Sequence, residues 1–306
     1  MAERLDFTGQ VVVITGAGQG VGRAYARELA GRGAKVVIND LGGTTRGEGG
    51  DVGVAEAAAA EIRAGGGEAV ADGNTVATPE GGAALIKTAL DAFGKVDALI
   101  CNAGILRDVT FANLEWPNLD ASIAVNLLSA FYVGQPAFKA MREQGAGGRM
   151  LFTSSASGLY GQFGQTNYAA AKTGIWGLTR TLGLEGAKYD IKVNAVAPIA
   201  TTRLSRGGDD APASDPRSPA NIAPLAAVLC HPSCPSTGEI FQVGIGFFGR
   251  VKMEVTDGYV LKPGETADDL FAHWEEVRSS PSREIGAGGA SILPLLRERL
   301  GTDPFA

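Results

Sequence analysis

Tyr168 and Lys172 stand four residues apart in the run Asn167-Tyr-Ala-Ala-Ala-Lys172. On a helix that spacing puts both side chains on one face, with the ammonium beside the phenol. Ser155 lies thirteen residues earlier. Together the three groups fit hydride transfer to or from a carbonyl. An alcohol must lose a proton as its hydride leaves, and a phenol with an ordinary pKa of ~10 is a poor base at neutrality. Lowering that value by ~3 units takes about 4 kcal/mol, which close cations in a dry site can supply. Ser155 would hydrogen-bond the substrate oxygen as negative charge builds there. A tyrosine and lysine at this spacing more often mark a solvated helix face, so the assignment depends on what accompanies them.

What accompanies them is the turn Thr15-Gly16-Ala17-Gly18-Gln19-Gly20-Val21-Gly22. It follows an apolar run and opens a helical pattern. A helix N-terminus carries unpaired N–H groups and partial positive charge, and glycine removes the Cβ atoms that would keep a pyrophosphate away. At the first strand–helix turn of an alternating chain this is a dinucleotide signature, with Gly16, Gly18, Gln19, Gly20 and Val21 as cofactor contacts. Asp40, twenty residues past Gly20, can accept hydrogen bonds from a ribose diol and repels a 2′-phosphate, which favours NAD over NADP. Arg46, nearby, could soften that preference. Positive charge on an oxidised nicotinamide would add to that of Lys172 in stabilising a phenolate.

The elements needed to position these groups are legible. Strands are expected at Val11–Thr15, Lys35–Asp40, Glu68–Ala71, Asp97–Cys101, Arg149–Thr153, Lys192–Ala197 and Glu239–Val243. Helices are expected at Val21–Gly31, Val52–Ala64, Pro79–Phe93, Leu119–Gln144, Asn167–Ala187 and Ala220–Cys230. The alternation predicts an α/β fold, a doubly wound parallel sheet with helices on both faces. Arg203–Pro219 holds three prolines and Gly207-Gly208-Asp209-Asp210, which excludes a regular helix and predicts a mobile lid over about 199–220. Residues 1–249 read as the catalytic domain. Residues 250–306 read as a C-terminal extension packed on it, with a short strand at Lys252–Val255 and helical patterns at Thr266–Arg278 and Gly288–Arg299.

Composition narrows the function. Hydrophobic residues make up 45% and charged residues 20% of 306, ordinary for a soluble globular chain. The net charge of -6 and the lack of a basic run argue against nucleic-acid binding. Two histidines argue against a histidine-rich metal site, and no metal is expected. Cys230-His231-x-x-Cys234 lacks a fourth ligand cluster for zinc and is better read as a helix end. Three cysteines suggest a reducing compartment, and no apolar run reaches the ~18 residues of a membrane span. A cytoplasmic protein is expected. Cys101 and the tryptophans Trp116, Trp176 and Trp274 are more simply packing residues, although Trp176 could belong to an interface.

These motifs resemble the short-chain dehydrogenase/reductase family. The likeness covers about residues 7–245 and includes Thr15-Gly-x-x-x-Gly20-x-Gly22, Asn102-Ala103-Gly104, Asn126, Ser155, Tyr168 and Lys172. It implies a Rossmann-like seven-stranded parallel sheet and a homodimer or homotetramer. It implies that Asn126 joins the catalytic set by helping to place a proton-relaying water, and that Lys172 also holds the nicotinamide ribose. Further cofactor contacts are implied at Asn74, Thr75, Val76, Asn102, Ala103, Gly104, Tyr168, Ile199 and Thr201. Asn74 stands where an aspartate is common, and Ile199-Ala200-Thr201 where many relatives have glycine. Longer stretches, among them Asn102–Asp108 and Tyr160–Gln165, are similar to the (3R)-hydroxyacyl-CoA dehydrogenase units of peroxisomal β-oxidation enzymes. The terminus Asp303-Pro304-Phe305-Ala306 has no peroxisomal tripeptide, which implies a stand-alone form. The leading expectation is an NAD-dependent dehydrogenase of 3-hydroxyacyl-CoA, with a sterol side-chain thioester as a variant. A 17β-hydroxysteroid dehydrogenase is the alternative, and an idle NAD-binding sensor or partner protein is a third reading.

Overall fold

Strand β1 (Val11–Thr15) is buried along its whole length, which requires cover on both faces of its sheet. The computed structural model describes residues 4–206 and 210–302. In it β1 is followed by β2 (Lys35–Asn39), β3 (Glu68–Asp72), β4 (Ala98–Cys101), β5 (Gly148–Thr153), β6 (Ile191–Ile199) and β7 (Ile240–Gly244). These seven pair in parallel in the order β3-β2-β1-β4-β5-β6-β7. An eighth strand, β8 (Phe247–Val251), pairs with β7 at the edge. The sequence reading had not placed it. A two-residue turn, Ile245-Gly246, with φ of 55° and 77°, brings it back antiparallel.

The order reverses between β1 and β4, so a crevice opens at their carboxyl ends. One face is covered by α1 (Gly20–Ala30), α2 (Gly53–Ala64) and the later α9 (Ala223–Cys230). Tyr25 and Leu29 of α1, Ala59 of α2 and Leu229 of α9 meet Val12, Ile14, Val36 and Ile38 of the sheet there. Further helices are α3 (Pro79–Phe93), α4 (Trp116–Ile123), α5 (Ser129–Gln144), α6 (Ala156–Tyr160), α7 (Thr166–Gly186) and α8 (Arg203–Arg206). Among them α3 packs on α5, and α7 on β6.

Three local differences from the sequence reading matter. The stretch expected as one helix over Leu119–Gln144 is α4, a π-helical turn at Ala124–Leu128, then α5. The five-residue turn has no signature in hydrophobic periodicity and carries Asn126. The short α6 is capped by Ser155, whose side chain accepts from Ser157 N–H. The segment read as non-helical contains the single turn α8. Of the expected lid, residues 207–209 lie outside the described residues. The flanking parts are tied by Thr201 N–H to Arg217 O at 2.9 Å and Ala211 N–H to Thr201 O at 3.1 Å.

The chain divides into two units, Met1–Arg250 and Val251–Ala306. Within the second, β9 (Glu254–Thr256) and β10 (Ser282–Glu284) form an antiparallel pair. The expected helix over Thr266–Arg278 is broken at His273 into α10 (Ala267–Ala272) and α11 (Trp274–Ser279), and α12 spans Leu293–Leu300. The expected terminal tetrapeptide lies outside the described residues. Among the described residues no helix is long and apolar enough to cross a membrane.

Ile245 is a β-branched residue in left-handed backbone, half exposed at the hairpin tip. That conformation costs roughly 1–2 kcal/mol for an L-residue, and asparagine tolerates it better. Ile245→Asn is expected to raise the urea-unfolding free energy by about 1 kcal/mol. A decrease would show that Ile245 contributes packing that outweighs the strain.

Candidate active site

The crevice is stitched together before any ligand is considered. Thr15 Oγ1, at the end of β1, accepts from Asn102 N–H and Ala103 N–H, both at 3.0 Å. Asn102 Nδ2 donates back to Thr15 O at 3.2 Å and Gly16 O at 3.1 Å. Two glycines permit this closeness. A Cβ on Gly16, at φ +62°, would lie 2.8 Å from Ala103 Cα, and one on Gly22 would lie 2.2 Å from Gly16 O. Asp40 closes the next side: its two carboxylate oxygens accept from Gly18 N–H at 3.0 Å and Gly42 N–H at 2.8 Å. At the start of α1, Gly20 N–H donates to Asp210 at 3.0 Å. The loop therefore presents its amides to carboxylates of the chain itself.

Tyr168 and Lys172 occupy the first turns of α7, and both are buried. Lys172 Nζ stands 5.6 Å from the Tyr168 ring centroid and donates to Thr153 O at 2.8 Å. Its backbone is clamped as well. Ser154 Oγ donates to Lys172 O at 2.8 Å, and Trp176 Nε1 donates to Ser154 Oγ at 3.2 Å. Helix α6 lies directly on this turn, for a Cβ on Gly158 would come 2.8 Å from the Lys172 carbonyl carbon. Ser155 Oγ accepts from Ser157 N–H at 3.2 Å, which leaves its own proton free to donate.

Burial decides the protonation of the pair. It pushes the Lys172 ammonium down to about 8 and the Tyr168 phenol up to about 12. Hydrogen bonding from Ser155 pulls the phenol back in part, and the Asp108 charge raises it further. The sequence reading expected Lys172, helped by the charge of an oxidised nicotinamide, to stabilise a phenolate. In the protein alone burial is the largest influence on the phenol, and Tyr168 is protonated at neutrality.

Asn126 plays a bracing part. Its Nδ2 donates to Ile105 O and Ser122 O, both at 3.0 Å, and its Oδ1 accepts from Ile105 N–H at 3.2 Å. A Cβ on Gly104 would come 2.9 Å from Asn126 Oδ1 and 3.9 Å from Lys172 Nζ. The side chain therefore sets the Gly104-Ile105 backbone against Lys172.

A cleft of about 520 Å³ runs along the carboxyl ends of the strands. Of the residues singled out from the sequence, Gly16, Gln19, Gly20, Val21, Asp40, Asn74, Val76, Asn102, Ala103, Gly104, Ser155, Tyr168 and Lys172 line it. Gly18, Thr75, Asn126, Ile199 and Thr201 do not. Gly18 is packed against Asp40 and Val54. Near the end of β6 and just beyond it, Pro198, Ala200 and Thr202 line the cleft, and Ile199 and Thr201 do not. Asn74 Nδ2 donates to Asp72 at 2.8 Å, leaving its carbonyl oxygen for a ligand. Sequence reasoning missed Asp72, which accepts from Asn39, Asn74 and Thr88. It also missed Asp108, Ser157, Gln162 and Gln165, which line the Tyr168 end. The glutamines stand three and six residues before Tyr168, and that spacing was the available signal. A cleft that joins an amide-rich turn and a carboxylate to a phenol–ammonium pair fits a dinucleotide.

Comparison with known proteins agrees. The family model described as short chain dehydrogenase matches residues 10–206. A short-chain type dehydrogenase/reductase of Mycobacterium tuberculosis is 46% identical over 90% of this chain and 96% of its own length. Peroxisomal multifunctional enzyme type 2 of Mus musculus is 44% identical over 90% of this chain, which spans only 38% of that longer protein. Among solved structures, a short chain dehydrogenase from Mycobacterium avium matches with a TM-score of 0.78 at 37% identity, over 92% of this chain and 99% of its own. Full-length peroxisomal multifunctional enzyme type 2 from Drosophila melanogaster matches at 0.79 and 34%, over 97% of this chain and 50% of its own.

Two outcomes test this geometry. Lys172 has a folded pKa of about 8 against its usual 10.5, so the folded state binds fewer protons between those values and stability rises with pH across that window. Lys172→Met removes the rise, so its stability advantage over wild type should shrink as urea melts move from neutrality past pH 8. A difference that stays constant with pH would contradict the assigned shift. Gly158→Ala should lower kcat by about tenfold with cofactor affinity retained, since it displaces the Lys172 turn. Full activity in that variant would show that the turn yields without consequence.

Proposed function

Because the chain belongs to the short-chain dehydrogenase/reductase family and is an oxidoreductase acting on CH–OH groups, we propose that it oxidises the secondary alcohol of a 3-hydroxyacyl-CoA thioester, with NAD as hydride acceptor. The observation that carries this reading is the likeness to peroxisomal multifunctional enzymes over 90% of the chain, joined to an intact Ser155, Tyr168 and Lys172 set in one cleft. Phe111, Tyr160 and Phe163 are exposed on the two segments that also carry the cleft residues Asp108 and Gln162, and apolar surface there would suit an acyl chain.

The roles follow from the geometry. Ser155 donates its free proton to the substrate oxygen, opposing charge build-up there. Tyr168 takes the alcohol proton at its Oη as a phenolate, which Lys172, positively charged below about pH 8, would stabilise, and it becomes the neutral phenol. The oxidised dinucleotide, when bound, supplies the hydride acceptor and additional positive charge. Gly16, Gln19, Gly20 and Val21 would hold its pyrophosphate, and Asp40 its adenosine ribose. Two negative charges 4 Å apart at an effective dielectric of ~20 repel by about 4 kcal/mol, which disfavours a 2′-phosphate beside Asp40.

The test is NADH formation across a panel of hydroxyacyl-CoA thioesters and free hydroxysteroids. Thioester turnover is expected, falling by about 10³-fold in Tyr168→Phe. Turnover of a steroid with none of any thioester would replace this reading with the steroid one. Asp40→Asn retains an acceptor for Gly18 N–H and removes the charge. It should shift the NAD-to-NADP ratio of kcat/KM toward NADP by about tenfold or more, and an unchanged ratio would remove Asp40 from cofactor choice.

A further inference from the structure

Tyr168 is approached from a second side by the segment after β4. That segment runs beside the start of α7 and is pinned there by backbone contacts. Val109 and Gln165 form a parallel bridge, Val109 N–H donates to Gly164 O at 2.8 Å, and Asn167 Nδ2 donates to Arg107 O at 3.1 Å. These contacts fix Asp108 opposite Gln165. Gln165 Nε2 donates to Asp108 Oδ2 at 2.8 Å, Ser157 Oγ donates to Gln165 Oε1 at 2.7 Å, and Ser157 N–H donates to Ser155 Oγ at 3.2 Å. All four side chains line the cleft.

The chain of hydrogen bonds has one permitted direction. An ionised Asp108 can only accept, so Gln165 must turn its amide nitrogen toward it and its oxygen toward Ser157. Ser157 then gives its single hydroxyl proton to Gln165. The Ser157 backbone N–H donates to Ser155 Oγ, and Ser155 keeps its own proton for the reaction.

We propose that Asp108, acting through Gln165 and Ser157, is a positioning residue that holds Ser155 as a hydrogen-bond donor beside Tyr168. The charged and titratable groups around the phenol, among the described residues, are Lys172 from α7, Cys101 at the end of β4, which faces Lys172, and Asp108. Burial keeps the Cys101 thiol protonated, so Asp108 is the anion of the set. Its charge opposes loss of the Tyr168 proton, which gives the proposal a second readout.

The inference rests on the alcohol–carbonyl chemistry of the proposed function and not on the thioester. It is measured on whichever secondary alcohol the wild type turns over, so a silent thioester assay overturns the substrate reading and leaves this test intact. Steady-state kcat and KM are compared across pH for Asp108→Ala, Asp108→Asn, Gln165→Leu and the Ala/Leu double variant, with thermal melts to confirm folding. Asp108→Ala and Gln165→Leu should each lower kcat by about tenfold, with cofactor KM within about twofold of wild type. The double variant should be no slower than either. Asp108→Asn keeps an acceptor for Gln165, so it should recover most of kcat while its acid limb moves to lower pH. The proposal is overturned if Asp108→Ala keeps wild-type kcat. It is equally overturned if Asp108→Asn is as slow as Asp108→Ala with an unmoved limb, or if the loss falls in cofactor KM.

Discussion

Lys172 and Tyr168 are both withdrawn from water, and desolvation drives their proton affinities in opposite directions, down to about 8 for the ammonium and up to about 12 for the phenol. At neutrality the pair is therefore a cation beside a neutral hydroxyl, with the backbone carbonyl Thr153 O and, among the described residues, no carboxylate accepting from the ammonium. A buried cation without an anion is costly on its own. The same imbalance gives the site a standing preference for negative charge, which is what an oxygen gaining charge during hydride transfer requires. The rest of the unit preserves this dry, charge-unbalanced spot.

Preserving it demands very close backbone approaches, and these explain why particular glycines sit where they do. Gly22 lets α1 start against Gly16 O, Gly16 lets β1 end against Ala103, and Gly158 lets α6 lie on the Lys172 turn. Asn102 and Asn126 then spend their amides on backbone, one joining the β1 and β4 ends, the other fixing Ile105. Neither is free to act as a mobile polar group, so the crevice is rigid where chemistry is expected. The segments that carry Asp108 and Gln165 differ in character, with Phe111, Tyr160 and Phe163 exposed on them.

The strand–helix alternation, the glycine turn, Asp40 and the Ser155, Tyr168 and Lys172 spacing were legible in the sequence because each is a local pattern. Apolar runs of five, glycines within eight residues and an i, i+4 pair carry their meaning without reference to distant chain. Tertiary structure alone decided what depends on which surfaces meet. The π-helical turn at Ala124–Leu128 left no trace in periodicity, yet it turns Asn126 onto Ile105. Where the chain leaves β6, Pro198, Ala200 and Thr202 line the cleft, whereas Ile199 and Thr201 were expected there. Asp108 and Gln165 are separated by 57 positions and meet only because a backbone bridge forms between their segments. The sign of the Tyr168 shift was also beyond the sequence. Residue types show that a lysine can stand beside a phenol, but how much water is excluded from both is a property of the packed core, and here that exclusion is the largest influence on the phenol.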